Sequence, residues 1–156
     1  MPTYKTEGII IKRTNFGEAD KILTVLTRNR GKLKVLAKGI RRINSRRAGN
    51  VELFNQAVIF LAEGRTFKIL TEARTVRSFP QLRTELTMSA AAFYLAELVD
   101  RLIPEEQTQP AVFELLSKAL GRLNGEKYNP AGLIEDFEKD ILVLTGFARY
   151  PSLAKS

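Results

Sequence analysis

The chain has 156 residues, 44% of them hydrophobic, a formal net charge of +8, and neither cysteine nor histidine. That length and apolar fraction fit one ordinary globular domain or two small ones, far from the disordered regime. The missing residue types remove disulfides, thiolate metal sites, cysteine nucleophiles, the commonest general acid/base and every Ser-His-Asp arrangement. No run approaches the ~18 consecutive apolar residues of a membrane helix, and the N-terminus carries no signal-peptide pattern. From both observations the expected location is the cytoplasm. The charge is split: residues 1–80 hold 17 Lys and Arg against 6 Asp and Glu, and residues 81–156 hold 8 against 11. Balances of +11 and −3 point to a binding half and a supporting half.

In chain order, Thr3–Arg13 is rich in β-branched residues, and Ile9, Ile10 and Ile11 run together as in a strand buried on both faces. Asn15-Phe16-Gly17-Glu18 is a turn signal, and Lys21–Thr27 is a second strand. Arg28-Asn29-Arg30-Gly31 turns tightly into Lys32–Lys38, which alternates cleanly. Its Leu33, Val35 and Ala37 take the inner face, and Lys32, Lys34 and Lys38 the wet one. Val51–Ala62 is expected as a long strand. Glu63-Gly64-Arg65 then turns it into Thr66–Arg77, where Phe67, Ile69, Thr71 and Ala73 share a face. Five strands joined mostly by short turns predict a small closed sheet.

The period changes at Ser78. Ser78 and Gln81 have capping-box spacing with Pro80 in the first turn, opening one helix that runs to Ile103 and is apolar over most of its circumference. A second helix spans Pro110–Asn124, with Phe113, Leu116, Leu120 and Leu123 on one stripe and Gly125 as the stop. Asn129-Pro130 opens a third, with Ile134, Phe137, Ile141 and Leu144 on its buried face and Gly146 at its end. The expected architecture is α+β: a five-stranded barrel over residues 1–78, then a three-helix domain over 79–156.

Between Gly31 and Val51 lie seven cations and no acidic residue: Lys32, Lys34, Lys38, Arg41, Arg42, Arg46 and Arg47. A lone charge run is usually a solvated face. A lysine-bearing strand feeding an arginine-rich loop is instead an electrostatic surface for a polyanion, so these seven are the expected nucleic-acid-binding residues. Rings in the same half (Tyr4, Phe16, Phe54, Phe60, Phe67, Phe79) should mostly fill the barrel. Phe16, in a turn beside glycine, is the one expected in solvent, where bases can stack. Glu18 and Asp20 in a hairpin, and Glu135, Asp136, Glu138 and Asp140 on a helix, are better explained as structural and solvated carboxylates than as acid/base pairs. Gly64-Arg65-Thr66 lacks the spacing of a phosphate-cradling loop. Nothing assembles a nucleophile, base and oxyanion donor, so no enzyme is expected, and no cofactor or metal.

Several segments together resemble the RecO family, bacterial recombination mediators of DNA repair. They are Glu7-Gly8-Ile9-Ile10, Gly17-Glu18-Ala19-Asp20-Lys21, Thr24-Val25-Leu26-Thr27, Gly31-Lys32-Leu33, Ala37-Lys38-Gly39-Ile40-Arg41 and Ser45-Arg46. Tyr94-Leu95-Ala96-Glu97-Leu98, Phe137-Glu138 and Gly146-Phe147 extend the likeness into the second half. The resemblance implies an N-terminal OB-fold and a helical domain. It also implies binding of single- and double-stranded DNA, strand annealing, and partnership with RecR, with the single-stranded-DNA-binding protein SSB and with the recombinase RecA, in the nucleoid. Many family members carry zinc-binding cysteines after the Gly-Phe pair; this chain has none, as in a short form. Two other classes fit the basic barrel on charge alone: an RNA-binding OB module of translation, and a scaffold for an acidic protein.

Overall fold

The computed structural model describes residues 2–127 and 129–147. They divide into two compact units: residues up to Ser78 with Pro104–Pro110, and Phe79–Ile103 with the residues from Ala111 onward. The last nine residues of the expected helical domain lie outside the described residues.

The first unit is a closed barrel of five strands, β1 (Thr3–Phe16), β2 (Asp20–Thr27), β3 (Lys32–Ala37), β4 (Gln56–Ala62) and β5 (Lys68–Arg77), in the spatial order β1-β2-β3-β5-β4. β1 is long enough to serve two neighbours: Thr3–Ile9 pairs with β4 and Gly8–Phe16 with β2, both antiparallel. At the crossover a Cβ on Gly8 would stand 2.4 Å from Val25 Cγ1, so only glycine lets the strands approach there. The register shifts between Ile10 and Lys12, and this bulge lets Ile9, Ile10 and Ile11 all be buried. The seam that closes the barrel is its shortest: β3 and β5 run parallel and pair only at Val35–Lys68 and Leu36–Ile69. Inside lie Ile10, Leu23, Val25, Leu33, Val35, Ile59, Leu61 and Leu70, with Ile40 and Val51 from the long loop.

Two strand expectations change. Residues 48–51 form a 3-10 turn, and the strand expected from Val51 begins at Gln56. The Asn55 side-chain amide donates to the Gly49 and Asn50 carbonyls and rounds the chain off, with Phe54 buried in a left-handed conformation (φ 71°). In β5 the buried residues are Leu70 and Ala73, while Thr71 is exposed. The register shifts opposite Phe60/Leu61, and Thr71, as the extra residue, donates its hydroxyl to the Phe60 carbonyl. A bulge shifts the alternation by one, which periodicity alone cannot foresee.

The described residues of the second unit form four helices, α1 (Gln81–Thr84), α2 (Leu86–Leu102), α3 (Pro110–Gly125) and α4 (Ala131–Leu144). The single helix expected over 81–103 is broken by Glu85 in extended conformation. Nor does Ser78 cap it: the Gln81 amide donates to Asn124 Oδ1, a cap 43 residues away. α2 buries Met88, Ala91, Ala92, Leu95, Ala96 and Val99 but exposes Leu86, Phe93 and Tyr94, so its apolar face is narrower than its sequence. The α3 stripe is buried as expected; on α4 Leu133, Phe137 and Ile141 are buried and Leu144 is exposed. Asn129 Oδ1 accepts from the Ala131 amide at the start of α4. At its end Phe147 N–H donates to Leu142 and Gly146 (φ 82°) to Val143, a Schellman ending that only a left-handed residue permits.

Candidate nucleic-acid interface

The basic segment after β3 is a built loop. Ile40 is buried among the barrel residues. Asp20, at the start of β2, accepts the Gly39 amide on Oδ1 at 2.7 Å, and the Arg41 amide donates to the Ala19 carbonyl at 2.9 Å. Arg47 spans the loop base, donating from Nη2 to the Lys38 carbonyl (2.8 Å) and from Nη1 to the Leu70 carbonyl (3.1 Å). Asn50 accepts from the Thr75 hydroxyl at 2.8 Å, tying the far end of the loop to β5. These ties hold the loop against the barrel wall and aim its remaining cations outward.

The seven sequence-predicted cations therefore fall into three groups. Lys38, Arg42 and Arg46 are exposed, and their side chains make no hydrogen bond or ion pair among the described residues. Arg41 and Arg47 spend guanidinium donors on backbone carbonyls, Arg41 on Gly17 at 3.1 Å. Arg41 stays exposed, whereas Arg47 is half-buried and braces the loop. On β3 the expected wet lysine face is corrected. Lys32 is only 7% exposed, where the backbone of Glu105–Glu106 runs beside it and the Glu106 amide donates to its carbonyl. Lys34 is half-buried, with its ammonium on the Thr24 hydroxyl at 2.9 Å. Accessible positive charge is thus concentrated at the Lys38 end of the strand.

Sequence reasoning missed the charges that other strands bring to this end. Lys21 is β2's partner to Ala37 and donates to Asn15 Oδ1 at 2.8 Å. Burial, and then the nearby Arg13 and Arg41, push its ammonium below its ordinary proton affinity. Arg13 and Arg41 therefore lie close enough to act on Lys21, while Glu52 acts in the opposite sense. Asp20, expected to be structural, anchors the loop. Arg65, dismissed as part of a non-phosphate turn, is exposed and lines the same slot as Lys38 (about 270 Å³), together with Phe16 and Phe67. The pairing of β3 with β5 makes that juxtaposition, so no local signal could have found it. Phe16 is in solvent, as expected, with 46% of its surface accessible.

The acidic residues build no rival site. Lys139 pairs with Glu135 at 3.2 Å along α4, where Asp136 and Asp140 are exposed, and no group of three potential metal ligands gathers among the described residues. No helix among them is long and apolar enough to cross a membrane.

Residues 1–79 match the family described as Recombination protein O N terminal, and residues 83–154 match Recombination protein O C terminal. A DNA repair protein RecO of Symbiobacterium thermophilum is 40% identical over 154 residues, 99% of this chain and 60% of that protein. One from Roseiflexus sp. is 45% identical over 121 residues, 78% of this chain and 42% of that protein. One from Bifidobacterium adolescentis is 32% identical over 150 residues, 94% of this chain and 61% of that protein. The chain thus spans about half the length of these relatives. Since both family descriptions match in order, and relatives named for DNA repair align across nearly all of it, the chain belongs to the RecO family of DNA repair and recombination proteins.

Proposed function

We propose that this chain is the DNA-holding part of a recombination mediator, binding single- and double-stranded DNA by phosphate neutralisation at the Lys38 end of the barrel. The observation that carries the reading is the division of labour in the loop. Asp20, Ile40 and Arg47 fix its path, leaving Lys38, Arg42 and Arg46 exposed with no hydrogen-bond or ion-pair partner among the described residues. Cations held in place and uncommitted lose little conformational freedom on meeting a phosphate, and the release of condensed counterions then drives binding. Lys21 and Arg41 add to the field at close range.

Binding of this kind carries no base readout, which suits a protein that must accept any sequence. Neutralising two backbones on one surface lowers their mutual repulsion, and strand annealing follows from that. Help in loading a recombinase, and contacts with RecR, SSB and RecA, belong to the same proposal through the family. Lys32, buried beside Glu105–Glu106, has no part in it; Lys34 contributes at long range. Anisotropy titrations of a labelled single strand at several salt concentrations test the reading. The logarithm of affinity should fall linearly with the logarithm of salt, at roughly 0.7 per phosphate contact. A flat response would remove the electrostatic mechanism. Equal binding to ribo- and deoxyribo-strands of one sequence would turn the reading toward a general single-strand module.

A further inference from the structure

The barrel carries a second feature that phosphate neutralisation does not use. Phe16, at the end of β1, meets Phe67, just before β5, edge to face, with ring centroids 5.8 Å apart and planes at 76°. Behind them the short β3–β5 seam presents Leu36 and Ile69, both half-buried, as the floor of the slot of about 270 Å³. Lys38 and Arg65 stand at the same slot, and no carboxylate lines it.

Deepening the proposed function, we propose that this slot is a nucleobase-stacking site, taking one unpaired base of a single strand against the Phe16 ring while Lys38 and Arg65 hold the flanking phosphates. Three observations favour a base over an apolar protein side chain as occupant. The apolar surface is aromatic at its rim, so it offers a π face. The charged residues that line the slot, Lys38 and Arg65, are both positive, complementary to a polynucleotide. The edge-to-face contact also fixes the Phe16 ring, so that stacking costs little rotamer freedom. A duplex keeps its bases paired and stacked and cannot use the slot. The slot therefore gives the barrel a preference for single strands that the basic loop by itself lacks.

The test uses the whole chain, with single- and double-stranded oligonucleotides of one sequence, one single strand carrying 2-aminopurine at a central position. Phe16→Ala should weaken single-strand binding roughly 5-fold or more, the lower end for one lost stacked base. It should abolish the 2-aminopurine fluorescence change and leave both duplex affinity and the salt slope unchanged. Phe16→Trp should restore binding, and because Phe16→Ala also loses the edge-to-face contact with Phe67, affinities are compared at a temperature where melting curves show each variant fully folded. Single-strand affinity within 2-fold of the parent for Phe16→Ala, with the fluorescence change intact, would overturn the stacking site and leave the electrostatic reading standing. Equal losses on single and double strands would overturn it too. A parent chain that binds no strand in a salt-dependent way would remove both.

Discussion

The division of labour among the arginines makes a sharp prediction. Arg42→Ala with Arg46→Ala removes two guanidiniums that bond nothing among the described residues, so stability should stay within about 0.5 kcal/mol of the parent. If each meets one phosphate, the salt slope on a single strand should flatten by about 1.4, at roughly 0.7 per contact. Over a fourfold rise in salt the double variant should then lose about 7-fold less affinity than the parent does, on the same slope per contact. Arg47→Ala should behave in the opposite way. It strips donors from the Lys38 and Leu70 carbonyls and unties the loop from β5, costing about 1–2 kcal/mol of stability, discounted for the partial exposure of the site. Its slope should flatten by less than one contact. Anisotropy at four salt concentrations and thermal melting measure both effects. A double variant with the parental slope, or an Arg47→Ala variant with parental melting and a strongly flattened slope, would refute the assignment.

Asp20→Ala leaves the Gly39 amide without its 2.7 Å acceptor, so hydrogen exchange over residues 39–47 should speed up and single-strand affinity should fall, with every loop cation still present. Gly31→Ala should lower stability by roughly 1–3 kcal/mol, measured by denaturant melting, because Gly31 has φ 72° and a Cβ there would stand 2.5 Å from the Gln107 carbonyl oxygen. Three groups have a folded-state proton affinity above the ordinary one: Tyr4, chiefly by burial, Tyr94, chiefly by donating to Glu138, and Lys68, chiefly by donating to Glu63. Their contribution is complete below the ordinary values of about 10 and is lost as pH rises through the raised ones. Melting temperature should therefore drop on going from about pH 9 to about pH 11, and less steeply in Tyr94→Phe.

Alternation and turn chemistry by themselves determined most of the barrel. Leu33, Val35 and Ala37 point inward and Gly31 turns β2 into β3, because each is set by a local rule of period or backbone conformation; the apolar run Ile9–Ile11 announced its burial, which a bulge in β1 accomplishes. The left-handed helix stop at Gly146, the buried stripe of α3 and the exposed Phe16 were legible for the same reason, whereas Gly125, expected as a stop, is the last residue of α3. The location of the positive charge was legible too, because seven cations without a counter-charge remain basic in any fold. Which of them are free was not. Lys32 is buried because a segment more than seventy residues later pairs with its backbone, and Arg47 is committed because the fold brings the Leu70 carbonyl within its reach. The alternation in β5 is broken by a bulge at Thr71, and the first turn of α1 is capped by Asn124 rather than by Ser78. The Phe16–Phe67 slot depends on strand order, which sets residues 51 positions apart edge to face. Period, turn and composition act over a few residues and can be read along the chain. Burial, commitment of donors and the meeting of distant loops are set by pairing across the barrel, and only the folded structure decides them.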